Sequence, residues 1–205
     1  SVKNCQFLGT DVGLRFKSTR GRGGVVDNIY ISDIYMFNIA TDSFLFDLFY
    51  GGKSASESLE DGDTTPTGET PFPVNEETPV FKNIYVKNLV SRNARRAMFF
   101  NGLPEMNIEN INVENAFITA RYGAEFSESK DINLKNVTIV PEVGPAYLFN
   151  NVKNFNADNL NFEVSNNTEV AKITGANTSE LHLSGIPENK VNVASDVKKE
   201  EIEFN

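Results

Sequence analysis

Apolar and polar residues alternate along this chain in short segments, and the segments recur. Alternation with a period of two predicts β-strands with one buried face and excludes helical repeats. Seven segments share the pattern, and the last five begin at positions 83, 110, 131, 154 and 180, which are 27, 21, 23 and 26 residues apart. A repeat in the twenties built from short strands is typical of a β-solenoid, in which parallel strands stack about 4.8 Å apart. We therefore predict an all-β fold.

One position near the middle of each segment interrupts the alternation. It holds Asn, Asp or Gly in all seven segments, and these residue types adopt the left-handed backbone conformation at low cost. We predict that each segment is a strand, a one-residue bend and a second strand, with the bend side chains stacked in a ladder. The predicted bend residues are Asn4, Asp33, Asn88, Asn115, Asn136, Asn159 and Gly185.

The length of 205 residues favours one domain, residues 1–205, with enough chain for a substantial core. The segments that start at 28 and 83 are 55 residues apart, which leaves room for one repeat and an additional loop. We assign this loop to residues 51–79, which are rich in Gly, Ser, Thr, Pro and Glu. Loops of this length are usually functional or mobile.

Composition and charge exclude several classes of function. The net charge of −9 argues against nucleic-acid binding, because binding to phosphates needs a basic face. No apolar run approaches the roughly 20 residues that cross a bilayer, so no membrane association is expected. Residues 1–10 contain no apolar stretch of the kind found in a signal peptide. No cluster of acidic metal ligands is evident, and we expect no metal or cofactor.

A positively charged segment contrasts with this acidic composition. Apolar and basic residues alternate in residues 14–17, so Arg15 and Lys17 are predicted to project from one face of a strand, about 7 Å apart. The glycine-rich loop that follows adds two arginines, and residues 15–22 contain four positive charges and no negative one. The segment suggests a specific anionic ligand, with an ordinary solvated strand face as the alternative.

Together, the repeat and the basic segment resemble the C-terminal part of the proteins of glycoside hydrolase family 28, the polygalacturonase-like pectin hydrolases. The similarity is sharpest over residues 9–29, where Arg15-Phe16-Lys17 followed by Gly21-Arg22-Gly23-Gly24-Val25 resembles the Arg-Ile-Lys motif of the family and the glycine-rich stretch after it. Phe16 stands where the family usually has Ile. The resemblance implies a right-handed parallel β-helix of which this chain covers the later part.

The resemblance also implies a ligand and the residues that bind it. In the family, the Arg and Lys of this motif bind the carboxylate of a galacturonate unit, and an aromatic residue on the next repeat contacts the sugar. These roles fall on Arg15, Lys17 and Tyr50, with a core role as the alternative for Tyr50. The expected ligand is an acidic polysaccharide, galacturonate-containing pectin, and the expected location is secreted or periplasmic.

The catalytic motifs of the family do not occur in this chain. In the hydrolases an Asn-Thr-Asp, an Asp-Asp pair and a Gly-His-Gly motif precede the Arg-x-Lys strand, and none of them is present here. Inverting hydrolysis needs one carboxyl group to protonate the leaving oxygen and a second to activate water. Asp11, Asp27 and Asp47 are the acids near Arg15, and none belongs to such a pair. We therefore expect no catalytic residue in this chain, which alone should be inactive.

Two other classes of function are compatible with the same features. A non-catalytic solenoid that binds acidic polysaccharide, or that is structural, would show no turnover. A polysaccharide lyase would cleave in a calcium-dependent reaction that leaves an unsaturated sugar, although acidic ligands for calcium are not evident.

The N-terminal end predicts self-association. The first segment, residues 2–7, matches the second half of the repeat, and no helix or polar stretch precedes it as a cover. Uncovered strand edges pair with whatever is available. The simplest arrangement is a homodimer through this end.

Overall fold

The computed structural model describes residues 1–49, 71–164 and 168–204. Within them the fold is all-β, as predicted, with eleven strands and two short 3-10 helices, Glu188–Lys190 and Lys199–Glu201. No helix in this part of the chain has the length and apolarity needed to cross a membrane. The strands are β1 (Val2–Leu8), β2 (Leu14–Lys17), β3 (Val25–Val26), β4 (Ile29–Asp47), β5 (Val80–Asn101), β6 (Ile108–Asp158), β7 (Asn161–Phe162), β8 (Ala171–Thr174), β9 (Ser179–Leu183), β10 (Val191–Val193) and β11 (Ile202–Phe204).

The strands pair in parallel, and the repeated segments lie side by side. The main order is β1-β4-β5-β6-β8-β10, with the remaining strands attached beside it. Equivalent positions of successive segments are in register, since Ile31 pairs with Val2 on one side and Val86 on the other, and Val86 pairs in turn with Val113. The repeat read from the sequence is therefore the repeat by which the parallel strands are aligned.

Residues with positive φ interrupt the long strands. All seven predicted bend residues have this conformation, from φ 52° at Asn136 to φ 96° at Gly185. The predicted ladder is confirmed for five of the seven bend residues. The amide of each later residue donates to the side-chain oxygen of the one before, over 2.9–3.2 Å, along the series Asp33, Asn88, Asn115, Asn136 and Asn159.

The structure contains more bends than the sequence analysis predicted. The first residue of each complete segment also has positive φ, although we expected these positions to begin plain strands. Two of them form a shorter ladder, in which Asn110 donates to Asn83 at 2.6 Å. Asn83 donates in turn to Asp27, the residue before Asn28, at 2.7 Å. A third set includes Asn38 and Asn93, joined at 2.6 Å. Each long strand is therefore a series of straight pieces between left-handed residues.

A column of phenylalanines occupies the core beneath β2. Phe16 stacks on Phe46 with ring centres 4.6 Å apart, and Phe46 contacts Phe100 at 4.5 Å. Phe100 contacts Phe126 at 4.9 Å, and Phe126 stacks on Phe149 at 5.7 Å. Aromatic contacts of this kind add to the gain from burial of the rings. The column fixes the inward face of β2, and with it the direction of the side chains on the outward face.

Candidate functional site

Strand β2 presents its two cations on one face. Leu14 is buried and Phe16 is packed into the phenylalanine column, whereas Arg15 and Lys17 between them are exposed. This is the alternation predicted from the sequence. The two basic side chains therefore leave the outward face of β2 together, where they can meet a ligand larger than a single ion.

The neighbouring strand places a carboxyl group beside this pair. Arg15 is in register with Leu45 of β4, and Lys17 with Asp47. Oδ1 of Asp47 accepts hydrogen bonds from the backbone N–H of Phe49 at 2.9 Å and from Nδ2 of Asn101 at 3.0 Å. Burial raises the pKa of Asp47, and these two hydrogen bonds offset part of that rise.

The exposed part of this outward face is short. Next to the exposed Arg15, Leu45 is half-buried, and Phe99, the following residue in register, is fully buried. Beside Lys17, Asp47 is 6% exposed. A ligand that contacts Arg15 and Lys17 therefore approaches over β2, because the neighbouring positions of this face on β4 and β5 are less exposed.

Arg20 does not belong to this exposed pair. Its guanidinium donates from Nε to Glu105 at 2.6 Å and from Nη2 to the other oxygen of the same carboxylate at 3.0 Å. It also lies 4.4 Å from the ring centre of Phe72 and 5.4 Å from that of Phe49. Burial favours a higher pKa for Glu105, but the hydrogen bonds from Arg20 hold the pKa below its usual value. One of the four cations in the predicted basic segment is thus part of an internal ion pair.

A buried ionic cluster lies farther along the same sheet. Nε of Arg96 donates to Asp42 at 2.6 Å and Nη1 donates to Glu125 at 3.2 Å. The guanidinium carbon is 3.6 Å from the ring centre of Phe99. Burial raises the pKa of Glu125, against the opposing effect of Arg96. The sequence analysis did not identify this cluster, because its members are 29 and 54 residues apart and each occupies an ordinary place in a strand.

The acids near Arg15 in the sequence have separate surroundings. Oδ1 of Asp27 accepts a hydrogen bond from Asn83 in a ladder, whereas Asp11 is exposed and its backbone oxygen accepts bonds from Thr41. Asp47 alone adjoins Lys17 in register. Among the described residues, no group of three or more His, Cys, Asp and Glu side chains is arranged to hold a metal ion.

Tyr50, the predicted sugar contact, lies outside the described residues, as do residues 51–70 of the predicted loop. Its role stays a prediction. Residues 71–79 are described and form no strand before β5 begins at Val80. The backbone oxygen of Glu77 accepts hydrogen bonds from the N–H groups of Gly21 and Gly23, so this part of the loop contacts the glycine-rich segment after β2.

Comparisons with protein-family models, with curated proteins and with solved structures give no match to this chain.

Proposed function

We propose that this chain is a right-handed parallel β-helix that binds the carboxylates of galacturonate units, as part of a polygalacturonase-like pectin hydrolase. The observation that carries the proposal is the exposed pair Arg15 and Lys17 on one face of β2. The motif around this pair resembles the uronate-binding motif of glycoside hydrolase family 28. By the same resemblance, the protein acts outside the cytoplasm, either secreted or periplasmic.

The β-helix is supported by the register and by the ladders. Equivalent positions of the segments pair in parallel across β1, β4, β5 and β6. Left-handed residues recur at the same places in each segment, and their amides bond from one segment to the next. Such columns are expected where successive turns of one chain stack directly on each other.

Carboxylate binding is supported by the chemistry of the pair. An arginine can hold a carboxylate through two parallel hydrogen bonds, and a lysine adds a compact charge beside it. Side chains two residues apart on a strand are about 7 Å apart at their bases, so both can converge on a single uronate unit. Burial raises the pKa of Asp47, which lies in register with Lys17, so its carboxylate takes up a proton more readily than an exposed one.

The chain by itself binds without hydrolysing. Asp42 and Glu125 are both held by Arg96, and Asp47 accepts hydrogen bonds from Phe49 and Asn101. In the described residues we find no second carboxyl group in register with Asp47 that could complete an acid–base pair across a sugar. The catalytic acids of a whole enzyme would come from the upstream motifs that this chain lacks.

Binding of a galacturonate trimer, measured by calorimetry at low ionic strength, tests the proposal. Arg15→Gln should weaken binding by at least about tenfold, as loss of a charge-assisted contact does. Lys87→Gln is the matched control, since Lys87 is an exposed strand lysine of β5 paired with Glu114 at 3.2 Å. Equal affinity of Arg15→Gln and the unmodified chain would refute the proposed role of β2.

A non-catalytic polysaccharide-binding protein is the second candidate. It is favoured by the engagement of the buried carboxyl groups in bonds of their own. The two candidates differ once the upstream part of a hydrolase is supplied. Release of reducing sugar from polygalacturonate by the combined protein would favour the hydrolase, and tight binding with no release would favour the binding protein.

A further inference from the structure

Three arginines lie within a few residues of the bend at Asn93, on two adjacent strands. Arg92 and Arg95 flank the left-handed residue Asn93 on β5, and Arg121 belongs to β6. Ala94 pairs with Ala120, and Arg96 pairs with Tyr122. Arg95 and Arg121 lie between these two pairs and are therefore in register on adjacent strands. In a chain of net charge −9 this clustering of cations is a local exception.

Aromatic rings accompany these arginines. The guanidinium of Arg92 lies 5.1 Å from the ring centre of Phe117, and that of Arg121 lies 5.3 Å from the ring centre of Tyr122. Phe37, in register with Arg92, is 41% exposed. Tyr35, two residues before it, is 38% exposed. We call Tyr35, Phe37, Arg92, Phe117 and Arg121 the arginine–aromatic surface.

This surface is separate from the face of Arg15. Tyr35, Phe37, Arg92 and Phe117 precede the bend at Asn38 and Asn93, whereas β2 pairs with β4 beyond that bend. Arg121 follows the bend but lies on β6, the third strand from β2 in the order β2-β4-β5-β6. Within the described residues, Arg92 and Arg121 have their rings as partners and form no ion pair with a carboxylate. The guanidinium groups of Arg92 and Arg121 thus lie against aromatic rings.

We propose that the arginine–aromatic surface binds a second stretch of the same carboxylated polysaccharide, so that a long chain is held at two places. The inference rests on the proposed function. Sugar rings have apolar C–H faces that can pack on exposed aromatic side chains, and guanidinium groups pair with carboxylates. An extended polymer that crosses parallel strands meets a new strand about every 4.8 Å. Phe37, Arg92 and Phe117 lie on three successive strands, so such a polymer contacts rings and a cation in turn.

The variant Arg92→Gln/Arg121→Gln, run by electrophoresis through gels that contain polygalacturonate, tests this inference. Lys130→Gln/Lys135→Gln is the matched control, because it also removes two positive charges, from β6 side chains that are 40% and 58% exposed. The arginine variant should require at least about tenfold more polymer for equal retardation, and the lysine variant should behave as the unmodified chain. Binding of the galacturonate trimer, which reaches the β2 site alone, should stay unchanged in both.

The outcomes separate this inference from the proposed function. If the unmodified chain is not retarded, the proposed function fails and this inference fails with it. If Arg15→Gln abolishes retardation while the arginine variant is normal, the inference alone is overturned. Equal retardation by neutral galactan, or weaker trimer binding in the arginine variant, would also overturn it. Arg92→Lys/Arg121→Lys, which keeps both charges, should regain part of the retardation and so exclude misfolding as the cause.

Discussion

At the scale of single residues, asparagine has two structural roles in this chain. It adopts the left-handed conformation that bends a strand, and its amide bonds to the same residue type in the next segment. At Asn136, φ is 52°, Nδ2 donates to Asn115 at 3.0 Å and Oδ1 accepts from Asn159 at 2.9 Å. An apolar residue such as leucine loses both bonds and also strains the backbone.

Replacement of Asn136 by leucine should lower the free energy of unfolding by about 1–3 kcal/mol, because of lost hydrogen bonds and backbone strain. Denaturant unfolding measures the effect. Asn136→Gly is the informative comparison, since glycine accepts the positive φ but makes no ladder. The leucine variant should be the less stable of the two, and a leucine variant as stable as the unmodified chain would show that the ladder contributes nothing.

Asp47 should lower the free energy of unfolding as the pH rises, whereas an acid in a salt bridge raises it. Its pKa is raised by burial, so the folded state holds the proton more tightly than the unfolded state. That stabilisation is complete below the unfolded pKa and is lost as the pH rises through the folded pKa. Asn at this position keeps an oxygen to accept from Phe49 and Asn101 but carries no charge.

Asp47→Asn should therefore gain stability relative to the unmodified chain as the pH rises from about 4 to about 7. Denaturant unfolding at several pH values measures this difference. Asp158→Asn, at an exposed carboxylate paired with Lys135 at 3.5 Å, should show no such gain. A constant difference between Asp47→Asn and the unmodified chain across this range would mean that burial of Asp47 costs nothing.

At the scale of strands, the phenylalanine column links β2 to the interior. Phe126 contacts Phe100 at 4.9 Å and Phe149 at 5.7 Å, and it is fully buried. Phe126→Ala should cost about 3–5 kcal/mol of unfolding free energy, through lost burial and a cavity. Phe126→Leu, which fills most of the space, should cost clearly less. Calorimetric unfolding measures both, and equal losses would show that the cavity is not the source of the destabilisation.

The same scale shows what the sequence could and could not predict. Alternation and the recurrent Asn, Asp and Gly predicted parallel strands and seven bends, because both depend on local residue types. Further bends were missed at Asn and Asp residues such as Asn38 and Asn93, although their residue types permit positive φ, and at Glu128 and Glu180, where glutamate seldom has it. The pairing of Arg96 with Asp42 and Glu125 was missed because it depends on which strands become neighbours.

At the scale of the whole molecule, β1 is the edge of the strand order. Among the described strands it pairs with β4 alone. Val2 is 38% exposed and Leu8 60% exposed, while Cys5 and Phe7 are half-buried against the core. An edge with apolar side chains and unpaired backbone groups can accept another strand. The predicted association through this end stays a proposal, and β1 is where it would occur.

We expect two copies to associate through their β1 edges about a two-fold axis, which makes the two edge strands antiparallel and self-complementary. Light scattering over a series of concentrations should show a mass that rises from 22.8 kDa toward twice that value. Leu8→Lys should shift the series toward the monomer, because a charge on an edge strand opposes pairing. Val143→Lys, at a residue 52% exposed on β6, is the control and should leave the association unchanged. A constant mass of 22.8 kDa at high concentration would refute the dimer.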